Sequence, residues 1–270
     1  MTDAALPAEV RRARIADRVR EDGILRVADA AAEFRVSEVT IRSDLGVLEA
    51  AGLVRRVHGS ALPAAGGPRE EPVERVSARD AAAKRAIGRR AAALVDNGTS
   101  VLLDVGSTTL AVAHALVDRV ERGDLDELVV VTNGLSIALA LEPAVPRVTV
   151  VLTGGTLRPL QHSLVDPGAS ESLAGLHVDL AILGCNGVDD DGRVTNLNLA
   201  EAGVKRAMVA ASAAQLVVAE AAKLGVRHLG TIGVADERTT LVTAGAWTDA
   251  AASTARALTA RGARVLRADA

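Results

Sequence analysis

Hydrophobic and polar positions change their period along the chain, and this change divides the chain into two parts. Between residues 9 and 59, apolar positions recur at helical spacing in three short segments, and a short alternating segment follows them. From residue 80 onward, short apolar runs typical of buried strands alternate with helical patterns. The pattern predicts a small helical domain with a β-hairpin, followed by a larger α/β domain with a mainly parallel, open sheet.

The third helical segment has the clearest boundaries and begins after Ser37. The Ser37 hydroxyl is predicted to cap it, because it can accept a hydrogen bond from a free amide of the first turn. Ile41, Leu45 and Leu48 recur at helical spacing and predict the buried face. The opposite face carries short polar groups and one guanidinium: Ser37, Glu38, Thr40, Arg42 and Ser43. Such side chains can reach base edges in the major groove, which favours a recognition helix.

A short basic segment follows this helix. Gly52 is predicted to end the helix, and residues 53–57 alternate as a strand that contains Arg55 and Arg56, with His58 at its tip. These residues would form a wing over DNA phosphates. From the residues alone, an ordinary amphipathic helix and hairpin with a solvated charged face remains the alternative.

Two shorter helices are predicted before it, over residues 9–21 and 27–34. Residues 24–26 could form a strand that pairs with the wing. Three short helices, a tight turn before the third and a two-stranded hairpin together predict a winged helix-turn-helix.

Charge and aromatic content narrow the kind of nucleic acid. The net charge is −3, and the first sixty residues hold as many acids as bases, so a basic domain is absent. The remaining charge signal is a cluster of arginines in the first helix: Arg11, Arg12, Arg14, Arg18 and Arg20. The only aromatic residues are Phe34 and Trp247, which excludes recognition by base stacking. A double-stranded DNA partner is therefore expected.

The cellular setting follows from what the sequence lacks. No run of about 18 uncharged apolar residues is present, and the N-terminus has no apolar signal-peptide region. Cys185 is the only cysteine, which excludes an internal disulfide and a cysteine-rich zinc site, and His162 and His177 are too isolated to suggest a metal. We expect a cytoplasmic protein with no membrane partner, no metal and no cofactor.

The first sixty residues resemble the DNA-binding domain of the DeoR family of bacterial sugar-metabolism repressors. The resemblance lies in Ser37, Val39-Thr40-Ile41-Arg42, Asp44-Leu45 and the segment from Gly52 to Gly59. Members commonly carry a second arginine where this chain has Ser43, so the operator sequence stays open. We expect DNA contacts from Ser37, Thr40, Arg42, Ser43, Arg55, Arg56 and His58.

The predicted domains are a winged helix-turn-helix over residues 1–60, a linker over 61–79, and an α/β sensing and oligomerisation domain over 80–270. The linker is predicted from residues that oppose regular structure: Pro63, Gly66, Gly67, Pro68 and Pro72.

In the second domain, several strands end in glycine, hydroxyl or amide residues, and the carboxyl edge of an open sheet is where ligands bind. Residues 104–109 read DVGSTT: Gly106 permits a close turn, and Ser107, Thr108 and Thr109 offer hydroxyls at the start of a helix. Hydroxyls and free amides at a helix N-terminus suit a phosphate. The segment has no Walker lysine, so nucleotide binding is not implied. Alternatively, these residues only cap the strand-to-helix turn.

Further effector-binding candidates at this edge are Asp104, Asn133, Gly154, Gly155, Asn186, Glu201, Lys205 and Lys223, with Arg158 as a weaker anion candidate. Glu201 and Lys205 are four residues apart on a helical pattern, so they form either a surface ion pair or part of the edge pocket.

Residues 84–243 are similar to the effector domain of the same family, which resembles sugar-phosphate isomerases and CoA-transferase-like folds. The residues that carry the similarity are Lys84-Arg85, 104–109, Thr132-Asn133, Gly154-Gly155, Gly184, Asn186-Gly187, Glu201 and Val204-Lys205-Arg206. The resemblance implies a repressor of carbohydrate genes whose DNA affinity changes with a phosphorylated sugar or polyol, and an oligomer of two or four subunits. The chain departs from the family at 195–198 and 220–223, which leaves the effector open.

Two other function classes remain. A sugar-phosphate isomerase would use Glu201 or Asp104 as its base, but an isomerase does not need a winged helix. A DNA-binding protein without a small-molecule effector would not need the glycine- and hydroxyl-rich edge. We therefore expect a regulator and not an enzyme.

Overall fold

The computed structural model describes residues 8–22, 24–50, 54–57, 59–63 and 72–268. The chain forms two compact units, Met1–Arg69 and Glu70–Ala270, and each has its own hydrophobic core. His58, Gly52 and Leu53, which the sequence assigns to the wing and the helix end, lie outside the described residues.

The first unit is a winged helix-turn-helix, as predicted. Its elements are α1 (Ala8–Asp22), β1 (Leu25–Arg26), α2 (Val27–Phe34), α3 (Glu38–Ala50), β2 (Val54–Val57) and β3 (Ser60–Pro63). The strands form an antiparallel sheet in the order β1-β3-β2, with Leu25 opposite Ala61. The wing therefore has a third strand, which is the predicted strand at residues 24–26.

Apolar side chains from all three helices form the core of this unit. Ile41, Leu45 and Leu48 of α3 are buried, as their spacing predicts. The Ser37 Oγ atom accepts a hydrogen bond of 3.1 Å from the Thr40 amide, which confirms the predicted cap. The opposite face of α3 takes no part in this core.

Three arginines of α1 pair with acidic side chains of the same unit. Arg11 Nε lies 2.6 Å from Asp44 Oδ2, and Arg12 Nε lies 2.9 Å from Asp44 Oδ1, so both bind α1 to α3. Arg18 pairs with Glu33 of α2. Burial alone would raise the pKa of Asp44, but the two guanidinium groups outweigh burial and lower it. For these three arginines, the charge cluster in the first helix is therefore a set of ion pairs within the unit.

The second unit is built on one seven-stranded sheet. Its helices are α4 (Val73–Ala78), α5 (Ala81–Ala92), α6 (Ser107–Glu121), α7 (Leu135–Leu141), α8 (Pro167–Leu173), α9 (Leu199–Ala210) and α10 (Asp249–Ala260). Its strands are β4 (Ser100–Leu103), β5 (Leu128–Thr132), β6 (Val148–Leu152), β7 (Thr156–Arg158), β8 (Ser163–Val165), β9 (Val178–Gly184), β10 (Gly187–Val188), β11 (Arg193–Asn196), β12 (Ser212–Glu220), β13 (Gly230–Val234), β14 (Thr239–Ala244) and β15 (Arg264–Arg267).

The main sheet has the order β15-β14-β12-β9-β4-β5-β6, and every neighbouring pair in it is parallel. This confirms the predicted parallel α/β fold. Alternate residues of β4 face opposite sides: Val101 and Leu103 pack with α5, α6 and α7, whereas Leu102 packs on the side of α8 and α9. Because all seven strands run in one direction, their carboxyl ends meet at one edge.

Three features were not predicted. Strands β10, β11 and β13 form a separate antiparallel sheet, and β7 and β8 form a hairpin. The segment expected to be a linker contains β3 and α4. Pro63 is the last residue of β3, and Pro72 occupies the N-cap of α4, so these prolines border regular elements rather than prevent them.

Among the described residues, no helix is long and apolar enough to span a membrane, and no cluster of metal-ligating side chains occurs. The predicted final strand, residues 264–266, is present as β15 and forms one edge of the main sheet.

Candidate functional site

A buried ion pair lies where β4 ends. Lys205 Nζ of α9 is 2.7 Å from Asp104 Oδ2, and both side chains are almost fully buried. Lys205 also donates to the Gly184 carbonyl at 2.9 Å, and the Gly184 amide donates to the same Asp104 oxygen at 3.0 Å. Of the two alternatives for Glu201 and Lys205, a surface ion pair is wrong, because both residues are buried and Lys205 pairs with Asp104.

Burial and the neighbouring charges change the pKa values of both Asp104 and Lys205. Burial raises the pKa of Asp104 to about 6, although Lys205 opposes the shift. Burial alone would lower the pKa of Lys205, but the charges of Asp104 and Glu201 outweigh burial and raise it. At neutral pH both groups are therefore charged. The second carboxylate oxygen of Asp104, Oδ1, is buried and has no hydrogen-bond partner within the described part of the chain.

The segment after Asp104 turns sharply into α6. Gly106 occupies the N-cap with φ 143°, a conformation that L side chains rarely adopt. The Thr109 hydroxyl donates to the Gly106 carbonyl at 2.9 Å and so supports the turn. The Thr108 Oγ1 atom is buried and has no partner among the described residues, and Ser107 is half-buried. Thr109 thus serves the turn, whereas Thr108 keeps an unused hydroxyl.

Asn133, which follows β5, joins this segment to the β7–β8 hairpin. Its Oδ1 atom accepts from the Val105 amide at 3.1 Å, and its Nδ2 atom donates to the Leu164 carbonyl at 3.3 Å. Asn133 is fully buried. Its amide holds two neighbouring loops of the edge in register.

Glu201 lies at the centre of a second polar cluster. Its Oε1 atom accepts hydrogen bonds from Arg158 Nη1 and, at 2.8 Å, from Ser163 Oγ. Its Oε2 atom accepts from Asn196 Nδ2 at 3.2 Å. Arg158 and Ser163 belong to the hairpin, so Glu201 ties the hairpin to α9. Sequence reasoning did not identify Ser163, which stands in no pattern that would single it out, and it noted Asn196 only within the departure from the family at 195–198.

The glycines after β6 allow close packing. Gly155 has φ +122°, and a Cβ atom there would lie 2.5 Å from the Val165 carbonyl. The Gly154 amide donates to Ser172 Oγ at 3.3 Å. Asn186 braces another loop, since its Oδ1 atom accepts from the Leu197 amide at 2.9 Å. These three predicted residues shape the edge.

Two lysines share one carboxylate at the end of β12. Lys223 Nζ lies 2.7 Å from Glu220 Oε2, and Lys84 Nζ lies 3.3 Å from Glu220 Oε1. Burial of Glu220 would raise its pKa, but Lys223 and then Lys84 outweigh burial and lower it. Lys84 also donates to the carbonyls of Val76 and Arg79 at 2.5 and 2.6 Å. Lys84 therefore joins α4 to the sheet edge.

The predicted DNA-contacting residues that the structure describes are exposed or partly exposed. On α3, Arg42 Nη2 pairs with Glu38 Oε2 at 2.5 Å, and both side chains are about half exposed. Ser43 and Arg55 are exposed, and Arg56 is exposed with its amide donating to Glu49 Oε1 at 2.8 Å. Val39, which sequence reasoning did not choose, is 72% exposed on α3. Its exposure is the only signal that could have identified it.

Each of the two units matches a known domain family. Residues 11–64 match the DeoR-like helix-turn-helix domain, and residues 79–244 match the DeoR C-terminal sensor domain. The chain belongs to the DeoR family. As a family member it is a DNA-binding transcriptional regulator and not an enzyme.

Curated relatives support this membership of the DeoR family. The HTH-type transcriptional regulator GlpR of Haloferax volcanii is 34% identical over 89% of this chain and 91% of its own. The glycerol-3-phosphate regulon repressor of Escherichia coli is 30% identical over 82% and 86%. The transcriptional repressor AccR of Agrobacterium fabrum is 31% identical over 79% and 80%.

Among solved structures, a ribose-5-phosphate isomerase in complex with phospho-erythronic acid is similar to part of this DeoR-family chain. The match covers 52% of each chain at 16% identity with a TM-score of 0.39.

Proposed function

We propose that this protein represses carbohydrate-metabolism genes and that a phosphorylated sugar or polyol changes its affinity for its operator. The observation that carries the effector proposal is a pair of unused buried acceptors, Asp104 Oδ1 and Thr108 Oγ1, on either side of the turn into α6. A buried polar atom without a partner costs free energy, and a ligand group that bonds to it would recover that cost. The name of a relative, a glycerol-3-phosphate regulon repressor, agrees with a phosphorylated ligand.

On DNA, α3 would enter the major groove. Arg42 would bond to base edges or to nearby phosphates, together with Ser37, Thr40 and Ser43. The exposed Val39 would contact a thymine methyl group. Arg55, Arg56 and His58 would contact the phosphate backbone from the wing.

In the effector site, the phosphate would bind at the N-terminus of α6, over the segment Gly106–Thr109. The free amides of the first turn and the positive end of the helix dipole favour an anion there. A ligand hydroxyl would donate to Asp104, whose charge Lys205 maintains. The remaining predicted residues would shape or hold the pocket: Asn133, Gly154, Gly155, Asn186, Glu201 and Lys223.

We also propose that the functional form is a homo-oligomer, either a dimer or a tetramer. Helix-turn-helix proteins commonly bind two half-sites with a symmetric dimer. Strand β6 is an edge strand, and its neighbourhood exposes Val151, Leu152 and Leu139 by 43%, 42% and 69%. An exposed apolar edge strand is a template for pairing with another strand.

A second copy of this chain fits that edge. The segment 128–153 contains only two charged residues, Glu142 and Arg147, so two copies would meet without net repulsion. The opposite edge, β15, begins and ends with arginines and is protected by their charge. Because the proposed regulator must reach its operator, we expect it to act in the cytoplasm.

The experiment that tests this proposal is an electrophoretic shift titration of the protein on the DNA upstream of its own gene. Glycerol 3-phosphate, glucose 6-phosphate and fructose 1-phosphate would be added separately, with the unphosphorylated compounds as controls. A specific shift that one phosphorylated compound changes supports the proposal. A specific shift that no phosphorylated compound changes would favour a regulator without a small-molecule effector.

A further inference from the structure

The β7–β8 hairpin connects the effector-site cluster to the start of the second unit. In the last strand pair before its turn, Arg158 and Ser163 lie opposite each other in register, and both bond to Glu201 of α9. The Arg158 side chain is 19% exposed, and the Glu201 side chain is 8% exposed. Glu201 thus holds the guanidinium at the edge where the effector is proposed to bind.

The tip of the same hairpin contacts α4. The Leu160 carbonyl accepts a hydrogen bond of 2.9 Å from the Val73 amide, the first amide of α4. His162 Nε2 lies 3.4 Å from Glu74 Oε1, and His162 Nδ1 lies 2.6 Å from Ser136 Oγ. The hairpin tip therefore holds the N-terminal end of α4.

The C-terminal end of α4 is held separately. Lys84 donates to the Val76 and Arg79 carbonyls and pairs with Glu220, as described above. Helix α4 therefore has one attachment to the hairpin and another to the end of β12. In sequence, α4 begins shortly after the boundary between the two units, which falls between Arg69 and Glu70.

We propose that Arg158 senses the effector and that the β7–β8 hairpin relays its binding to α4, and thus to the chain leading to the DNA-binding unit. This inference rests on the proposed function, since it requires an anionic effector at the sheet edge. Glu201 lies one helical turn from Lys205, which pairs with Asp104 beside the start of α6, so a phosphate bound there lies close to the Arg158–Glu201 pair. It competes with Glu201 for Arg158, because a guanidinium binds phosphate and carboxylate with the same paired N–H geometry. Movement of Arg158 displaces the hairpin, and the Leu160–Val73 bond transfers the displacement to α4.

Substitution of Val73 offers a sharp test, because the relay bond uses its backbone amide. Val73→Pro removes that donor while retaining a residue that helices accept in their first position. The preceding residue, Pro72, has φ −50° and ψ 136°, which is the extended conformation that a following proline requires. Val73→Ala is the matched control: it shortens the same buried side chain but keeps the amide.

The full-length wild type and both variants would be compared by fluorescence anisotropy on the operator, with and without the phosphorylated compound that acts most strongly on the wild type. Direct binding of that compound would be measured by calorimetry. For Val73→Pro we expect unchanged affinities for DNA and for the compound measured separately, but an effect of the compound on DNA affinity of less than about twofold, where coupled sites typically show roughly 5- to 150-fold. Val73→Ala should respond like the wild type.

Two results would overturn the relay: a wild-type response in Val73→Pro, or equal loss of the response in Val73→Ala. If none of the three phosphorylated compounds changes the operator affinity of the wild type, the proposed function fails first, and the relay fails with it. Hydrogen exchange provides a second readout. The active compound should change exchange in residues 156–165 and 73–78 of the wild type, but only in 156–165 of Val73→Pro.

Discussion

Lys205 Nζ lies 2.7 Å from Asp104 Oδ2, and this buried ion pair joins α9 to the carboxyl end of β4. It lies beside the start of α6, where the phosphate is proposed to bind. Its charges therefore have two consequences for the second unit, one for its stability at neutral pH and one for the pH dependence of that stability.

Loss of one partner should destabilise the second unit strongly. Lys205→Met would leave Asp104 buried without its counter-charge, and breaking such pairs costs about 3–5 kcal/mol. Trp247, the only tryptophan, lies in the second unit and reports its unfolding in urea. The double variant Asp104→Asn with Lys205→Met should recover much of the loss, because no unpaired charge remains. Equal stability of Lys205→Met and the wild type would show that the pair does not contribute to the free energy of unfolding.

Asp104 should also give the second unit a recognisable pH dependence. Burial raises its pKa to about 6 in the folded state, from its ordinary value of 3.8. The folded state therefore binds the proton more tightly, so this group's contribution to stability is fully present below pH 3.8 and is lost as pH rises through about 6. Asp104→Asn should make the urea midpoint less dependent on pH between about 4 and 6.5 than in the wild type. An unchanged slope would contradict the raised pKa.

The features that could be predicted from the sequence are those that depend on residues close together in the chain. The cap at Ser37 and the spacing of Ile41, Leu45 and Leu48 depend only on neighbouring residues, and α3 formed as expected. The glycine and hydroxyl residues that follow several strands lie at one edge of the sheet, because parallel strands end on the same side.

Long-range pairing was not predictable in the same way. Arg11 and Asp44 are 33 residues apart, and Arg158 and Glu201 are 43 apart. No local pattern indicates that such residues meet, since their contact depends on how whole elements pack. For this reason the sequence indicates an arginine cluster in α1 but not its partner Asp44, and it does not predict that Arg158 holds Glu201.

The DNA and effector functions should separate by mutation. Arg42→Ala should weaken operator binding by about 1–3 kcal/mol, with little effect on stability, because its pair with Glu38 is exposed. Thr108→Val should weaken effector binding by about 1–3 kcal/mol through loss of the unused hydroxyl, and should leave DNA affinity unchanged. Anisotropy on operator DNA and calorimetry with the phosphorylated compound measure the two effects. Equal losses of both affinities in both variants would contradict two separate sites.

The proposed oligomer interface can be tested with a charge at the β6 edge. Val151→Lys should shift the protein toward monomer, because a lysine on an edge strand opposes strand pairing. Leu229→Lys is the matched control, since Leu229 is 81% exposed away from this edge. Sedimentation velocity would measure the mass of each. An oligomer that survives Val151→Lys but not Leu229→Lys would place the interface elsewhere.

The central claim is that DNA and a phosphorylated effector bind two sites that affect each other. The most direct test is reciprocal: operator affinity with and without the effector, and effector affinity with and without operator DNA, on the same protein. Thermodynamic linkage requires both ratios to be equal, and we expect a ratio of roughly 5 to 150. A ratio of one in both directions, with both ligands bound, would contradict the account.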